Sequence, residues 1–186
     1  MGSELRVQVA TMERLAPLAD QRDSLAHLYE ECHVDLFGYV ASLTRDVDAA
    51  QDVVHEAFAR LVRETANGRL VAEPRAWLYR VCTNLSFSRA RRHAAAERWQ
   101  ARFGRPAPTD VHEPAEDAVL RRERDLQLHQ ALRALPRDHQ AALLLAAEGF
   151  SGREIATILG RSEGATRNML WRSRLTLRDG LEADAR

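Results

Sequence analysis

Lysine is absent from the sequence. All 27 basic residues are arginine, and 27 acidic residues bring the formal net charge to zero. The two cysteines, Cys32 and Cys82, are too few for a disulfide framework, so we expect a cytoplasmic protein with reduced thiols. No apolar run of about 18 residues occurs, which excludes a membrane-spanning helix. Acidic residues and arginines interrupt the N-terminal stretch where a signal peptide needs an apolar core.

The charges are unevenly distributed along the chain. Residues 1–60 hold 11 acidic residues and 5 arginines, whereas residues 61–107 hold 3 acidic residues and 10 arginines. Residues 108–127 are acidic again, and residues 128–186 hold 9 arginines against 7 acidic residues. Two basic stretches separated by an acidic one favour a protein that contacts a polyanion at two places. The alternative interpretation is that each charged run is a solvated helix face.

Apolar residues recur at helical spacing through the first half of the chain. The first stripe consists of Leu25, Leu28, Cys32, Leu36, Val40 and Leu43. The second follows the capping residue Asp46 and consists of Val47, Ala50, Val54, Ala57, Leu61 and Val62. A third helix is expected from Pro74, since proline suits a first-turn position. We therefore predict a compact helical domain over residues 21–98, preceded by an N-terminal tail of residues 1–20.

The second half of the chain predicts a linker and a second helical domain. Residues 99–114 contain one glycine and three prolines and have no apolar periodicity, which predicts a flexible linker. Helical periodicity returns over residues 115–182. The expected fold is therefore all-α, with two small helical domains joined by a linker.

The segment FSGREIATILGRSEGATRNMLWRSRLTL predicts a helix-turn-helix. Ser151 and Glu154 form a capping box at the start of a short helix that ends at Gly160. Ser162 caps a longer helix that carries several arginines, and Trp171 is expected to be half-buried on it. The alternative is a helical hairpin with a solvated polar face.

The second helix of a helix-turn-helix enters the major groove of DNA. Its first turns offer Glu163, Arg167 and Asn168 to base edges, since arginine pairs with guanine and asparagine with adenine. Arg161, Arg172 and Arg174 are better placed for phosphates. The further candidate DNA-binding residues of this domain are Arg153, Ser162 and Thr166.

No motif predicts an enzyme, a metal site or a cofactor. His55-Glu56 begins like a zinc-protease helix, but the second histidine would fall at Ala59. The spacing of His27, Cys32 and His33 does not bring three ligands to one side. Neither a phosphate-binding glycine loop nor a nucleophile elbow is found.

The sequence resembles the extracytoplasmic-function (ECF) sigma factors, the minimal promoter-specificity subunits of bacterial RNA polymerase. The resemblance is carried by AAQDVVHEAFARL (49–61), by EPRAWLYRVCTNLSFSRARR (73–92) and by the segment over residues 131–177 that includes the helix-turn-helix. It implies that the domain over 21–98 is a region 2 that binds core polymerase and the −10 element. The domain over 115–182 would be a region 4 that reads the −35 element and touches the polymerase flap. The polymerase, and not this chain, would catalyse the formation of phosphodiester bonds.

The resemblance also implies roles for individual residues. Those expected to dock on the coiled coil of the largest polymerase subunit are Asp48, Gln51, Asp52, His55 and Glu56. Those expected to bind the melted −10 element are Asn67, Arg69, Arg80, Asn84, Arg89, Arg91 and Arg92. Ala49 and Gln51 stand where the family commonly has acidic residues, which predicts docking that is weaker or assisted in some other way. Met169 stands where a basic residue is common. The linker would pass through the polymerase channel, and an anti-sigma factor or other regulator is a further expected partner.

Two other functions fit parts of the pattern. A conventional dimeric helix-turn-helix regulator would bind a palindromic site without polymerase. A polymerase-binding adaptor would not contact DNA at all.

Overall fold

The computed structural model describes residues 24–69, 71–103, 128 and 130–184, and within these ranges it is all-helical. Helix α1 covers residues 24–44, α2 runs from Val47–Ala66 and α3 from Pro74–Phe103. Residues 130–134 are helical and are called α4. Three helices follow, α5 (Arg137–Ala147), α6 (Gly152–Leu159) and α7 (Glu163–Asp184). We call α1–α3 the N-terminal unit and α4–α7 the C-terminal unit.

Helices α1 and α2 meet at a tight corner, which the backbone of Arg45 and the side chain of Asp46 form. Arg45 adopts a left-handed conformation with φ 61°, which ends α1. Asp46 then caps α2, because its carboxylate accepts a hydrogen bond from the backbone N–H of Ala49 at 2.8 Å. The cap confirms the predicted start of α2. The predicted apolar stripe is wrong at its two ends, since Val47 is 63% and Val62 50% exposed.

Helix α3 is longer than predicted. It begins at Pro74, as expected, but continues to Phe103, so residues 99–103 are helical rather than part of a linker. The reason is local, because residues 93–103 contain no glycine or proline and include good helix formers such as alanine, glutamate and arginine. Residues 91–99 are exposed, which explains why the helix shows no apolar periodicity there. The predicted linker from 104 onward lies outside the described residues.

The two units share one continuous core. Leu36, Leu78 and Cys82 of the N-terminal unit belong to the same buried cluster as Leu145 and Ile155 of the C-terminal unit. Polar contacts also cross between the units, since the Gln140 side chain donates to the Ser42 carbonyl at 2.9 Å. The chain thus has two units that pack directly on each other. None of the helices in the described ranges is long and apolar enough to cross a membrane.

Candidate nucleic-acid interfaces

Helices α6 and α7 form the predicted helix-turn-helix. The Ser151 hydroxyl and the Glu154 carboxylate make both hydrogen bonds of a capping box. The Ser151 hydroxyl, followed by the Ser151 backbone N–H, donates to the Glu154 carboxylate and lowers its pKa. Gly160 ends α6 with φ 63°, a conformation that glycine adopts without strain. The Ser162 hydroxyl accepts from the Ala165 backbone N–H at 3.2 Å at the start of α7. Each of these caps confirms a sequence prediction.

Helix α7 has a buried face and a broad exposed face. Thr166, Leu170 and Ser173 are buried at spacings of four and three. A helix turns by about 100° per residue, so Asn168 and Arg172 point away from this buried face. Arg167 and Arg174 lie along one flank of the exposed face, and all four side chains are exposed. The exposed face therefore presents arginine and asparagine donors of the type that reads base edges and phosphates.

Thr166 is not on the exposed face. Its side chain is fully buried and its hydroxyl has no hydrogen-bond partner in the part of the chain that the structure describes. The prediction that Thr166 contacts DNA is therefore wrong. The spacing of Thr166, Leu170 and Ser173 explains this position, because all three share the face that packs on the rest of the unit.

Three other predicted residues of this domain are held in ion pairs. Arg153 on α6 pairs with Glu163 at the start of α7, with 3.3 Å between Nε and Oε1. Arg161, in the turn, pairs with Asp138 on α5. These pairs are exposed, so each stabilises the domain only weakly and can exchange for a phosphate or a base.

Trp171 is a surface residue that sequence reasoning misplaced. Its side chain is 65% exposed, whereas we expected it to pack half-buried on the domain. It lies on the same flank of α7 as Arg167 and Arg174, one helical turn from each. A large exposed ring beside arginines is a typical feature of a nucleic-acid interface.

The predicted −10 residues are all exposed, in the loop after α2 and along α3. They are Asn67, Arg69, Arg80, Asn84, Arg89, Arg91 and Arg92. Arg69 and Arg80 line a cleft of about 570 Å³ together with Trp77. Trp77 is partly buried against the core, as expected. The structure thus brings Arg69 and Arg80 to one cleft, while Arg91 and Arg92 project from α3 beyond it.

The predicted core-docking residues lie on α2. Asp48, Gln51, Asp52 and His55 are exposed and Glu56 is half-exposed. Hydrogen bonds from Arg60 and the nearby Arg63 lower the pKa of Glu56. Asp52 pairs with Arg89 on α3 at 3.3 Å. Glu56 and Asp52 thus already have arginine partners on the surface of the N-terminal unit.

Ala49 is not part of this surface. Its side chain is 3% exposed. The prediction of weaker docking therefore rests on Gln51, because an acidic residue in place of Ala49 would be buried rather than presented to a partner. Gln51 is exposed, and it lacks the acidic side chain that is common in the family at this position.

The cysteines form no reactive or metal site. Cys32 and Cys82 are buried free thiols, and burial raises the pKa of Cys82 to about 12. Burial also raises the pKa of Cys32. Both thiols stay protonated at neutral pH and are poor nucleophiles and ligands. Among the described residues, no group of three or more histidine, cysteine or acidic side chains could hold a metal ion.

Comparisons with known proteins match both units. Residues 28–96 match the family model of sigma-70 region 2, and residues 125–177 match that of sigma-70 region 4. The RNA polymerase sigma-H factor of Pseudomonas aeruginosa is 32% identical over 156 residues, which are 79% of this chain and 80% of that protein. The ECF RNA polymerase sigma factor BldN of Streptomyces coelicolor is 27% identical over 176 residues, 90% of this chain and 64% of that protein.

Solved structures show the same fold. The sigma factor RpoE from Bartonella quintana, solved in complex with the anti-sigma factor NepR, matches with a TM-score of 0.66 and 23% identity over 89% of this chain and 98% of that chain. CnrH, solved in complex with the cytosolic domain of CnrY, matches with a TM-score of 0.60 and 23% identity over 88% of this chain and 90% of that chain. The helix-turn-helix with its exposed arginines and the two family matches lead to one conclusion. The chain belongs to the extracytoplasmic-function sigma factors, the subunits that direct RNA polymerase to promoters.

Proposed function

We propose that α7 reads the −35 element from the major groove. The observation that carries this proposal is the exposed face of α7, where Arg167 and Asn168 follow the helix start in a well-capped helix-turn-helix. Each can make a bidentate contact with a base, worth about 1–3 kcal/mol of discrimination. Glu163 would accept a hydrogen bond from a cytosine amino group once Arg153 releases it.

The phosphates of the −35 element would be held by Arg161, Arg172 and Arg174. Trp171, between these cations, would pack on the sugar-phosphate backbone, with its indole N–H as a hydrogen-bond donor. Such contacts give affinity and fix the position of the helix in the groove, whereas Arg167 and Asn168 supply the sequence preference.

The N-terminal unit would capture the melted −10 element. Asn67 and Arg69 in the loop and Asn84 on α3 are the proposed base contacts, while the remaining arginines hold the backbone of the opening DNA. Stacking on side chains and an electrostatic groove are the usual means of binding a single strand. The cleft beside Trp77, with Arg69 and Arg80 at its edge, supports this role.

The polymerase supplies the chemistry in this proposal, and the chain itself is not an enzyme. The acidic face of α2 would dock on the coiled coil of the largest polymerase subunit, and the C-terminal unit would touch the flap. The proposed location is the cytoplasm. An anti-sigma factor is a proposed partner, since the structurally similar sigma factor RpoE was solved in complex with the anti-sigma factor NepR.

Run-off transcription with purified core polymerase tests the proposal. Templates from a binding-site selection with the reconstituted holoenzyme should give a promoter-specific transcript that is lost without this chain. The double variant Arg167→Ala/Asn168→Ala should lower the transcript about a hundredfold, because two base contacts are lost. Asp179→Ala, an exposed change elsewhere on α7, is the matched control.

The outcomes separate the competing functions. Tight binding of a dimer to a palindromic site without polymerase would instead identify a conventional regulator. Unchanged transcription by the double variant would contradict direct −35 reading and favour an adaptor.

A further inference from the structure

The end of α1 packs on the corner between α4 and α5. Gln140 Nε2 donates to the Ser42 carbonyl at 2.9 Å, and Arg45 Nη2 donates to the Arg133 carbonyl at 3.2 Å. Gln140 is only 3% exposed, so this contact lies at the edge of the core. The residues that join α1 to α2 and those that join α4 to α5 are therefore held side by side.

This junction brings three arginines together, one from the N-terminal unit and two from the C-terminal unit. They are Arg45, Arg133 and Arg137, which we call the arginine triad, and all three are exposed. None of them forms an ion pair with an acidic side chain in the part of the chain that the structure describes. The acidic residues that follow two of them are already engaged, since Asp46 caps α2 and Asp138 pairs with a different arginine.

The charges of the arginine triad repel one another. Partial burial, followed by the charges of Arg133 and Arg137, lowers the pKa of Arg45. A guanidinium stays protonated in spite of such a shift, because its ordinary pKa is above about 12. Like charges that are gathered without counter-charges disfavour the compact state. A bound anion would remove this cost.

The backbone of Arg45 has a conformation that suits glycine better. Its φ is 61°, and among the described residues other than glycine it alone has a positive φ. Glycine adopts this conformation without strain, whereas it is uncommon for a side chain as long as that of arginine. Uncommon conformations of this kind cluster at functional and ligand-binding sites. In this conformation the Arg45 guanidinium reaches the Arg133 carbonyl.

The start of α5 adds to the positive potential at the arginine triad. Arg137 is the first residue of α5, and the preceding Pro136 makes no side-chain cap bond. The first backbone N–H groups of a helix have no partner within the helix and carry a partial positive charge. Phosphate groups bind at such helix starts. Here the helix start lies beside arginines from two units.

We propose that the arginine triad is a binding site for a phosphoryl group. Guanidinium groups bind phosphate through paired N–H donors. The triad draws on two neighbouring corners and not on one extended face, so it suits a compact anion, such as the pyrophosphate group of a small molecule, better than a row of backbone phosphates. None of its residues is among the proposed DNA or polymerase contacts, so the site goes beyond the proposed function.

Titration of the full-length chain with inorganic pyrophosphate tests the site, with sodium chloride used to keep the ionic strength constant. Isothermal calorimetry should show one saturable site. Arg137→Gln should weaken binding at least about tenfold, because charged hydrogen bonds to the anion are lost. Arg98→Gln removes the same charge from an exposed position on α3 and should bind as the unaltered chain does. Equal weakening by both variants would show a general effect of charge and overturn the proposal.

Thermal unfolding separates loss of the site from loss of the fold. Without pyrophosphate, Arg137→Gln should melt at the same temperature as the unaltered chain or higher, since one repulsive charge is gone. Pyrophosphate should raise the melting temperature of the unaltered chain, because a ligand of the folded state stabilises it. Neither Arg137→Gln nor Arg45→Gly, which also relieves the backbone at φ 61°, should show this rise. A full rise in both variants would contradict the proposal.

Duplex DNA distinguishes the source of the phosphoryl group. Fluorescence anisotropy with a labelled duplex of random sequence compares Arg137→Gln with Arg98→Gln. Pyrophosphate binding that only Arg137→Gln weakens, with equal duplex binding by the two variants, supports a small-molecule ligand. Absent pyrophosphate binding, with duplex affinity lowered by Arg137→Gln alone, supports a backbone phosphate. If Arg137→Gln changed neither, the proposal would be wrong, whereas the proposed function is tested independently by run-off transcription.

Discussion

The two proposed DNA-contacting faces differ in how their arginines are held. On the N-terminal unit, Arg69 pairs with Glu64 at 3.0 Å and Arg89 with Asp52 at 3.3 Å. On α7, Arg167, Arg172 and Arg174 have no acidic partner within the described ranges. Helix α7 therefore presents three arginines without an acidic partner in those ranges, whereas Arg69 and Arg89 of the N-terminal unit must leave internal pairs before they bind DNA. We infer that α7 makes the early contact with duplex DNA and that the N-terminal unit binds once DNA opens.

The largest expected effect comes from the core that the two units share. Leu36 and Leu145 lie in different units and both are fully buried. Each change to alanine should cost about 2–5 kcal/mol of unfolding free energy. Because the core is continuous, either variant should shift one common urea transition, followed by circular dichroism. Val47→Ala, at a position 63% exposed, is the control. Two separate transitions, each moved by only one variant, would contradict a shared core.

The next prediction compares Ala49 and Gln51, two positions on α2, the helix that we propose docks on the polymerase. Ala49→Asp places a carboxylate where the side chain is 3% exposed and should lower the unfolding free energy by at least about 2 kcal/mol. Gln51→Glu is exposed and should change stability by less than about 0.5 kcal/mol. It should also tighten core-polymerase binding about twofold through a weak surface ion pair. Urea denaturation and a polymerase titration measure the two effects, and a stable Ala49→Asp chain would disprove the burial.

A comparison of Arg172→Ala with Arg89→Ala tests the difference between the faces. Loss of the unpaired Arg172 should weaken promoter binding by the holoenzyme. It should also reduce, by about 1, the slope of the logarithm of the binding constant against the logarithm of the salt concentration. Loss of Arg89 should weaken it less, since this arginine must first leave Asp52. Binding measured over a range of salt concentrations gives both slopes. A larger loss of promoter affinity for Arg89→Ala than for Arg172→Ala would contradict the inferred advantage of an unpaired arginine.

The smallest effects concern one buried hydroxyl in each unit. Thr166 in the C-terminal unit and Ser86 in the N-terminal unit are buried, and their hydroxyls have no hydrogen-bond partner in the described structure. Thr166→Val and Ser86→Ala should each raise the unfolding free energy by about 1 kcal/mol, because an unsatisfied polar group leaves the core. Urea denaturation measures this gain. Thr166→Val should leave the −35 preference unchanged, and an altered preference would restore Thr166 as a DNA contact.

Local chemistry explains what the sequence predicted correctly. Asp46, the Ser151–Glu154 box and Gly160 fix helix ends through bonds between residues three or four apart. Such bonds depend on neighbours in the chain and can be read from it directly. The arginine face of α7 was predictable for the same reason, since helical spacing sets which residues share a face.

The errors arose where distant contacts decide burial. One step along a helix rotates a side chain by about 100°, so the buried face must be known before Ala49 or Trp171 can be placed. The end of α3 was missed because exposed helix formers carry no apolar pattern. The bond between Tyr79 and Glu148 joins residues 69 positions apart, and no local signal in either segment indicates the other.

The length of α3 fixes both the position and the orientation of its last turn. Its 30 residues rise about 1.5 Å each, so the first turn beside the proposed strand site and its last turn at Phe103 are about 45 Å apart. An inserted residue in its exposed part would move the far end by only about 1.5 Å but would rotate it by about 100°. The direction in which α3 ends at Phe103 is therefore set by the rotation of the helix, and a change of helix length alone would turn that end.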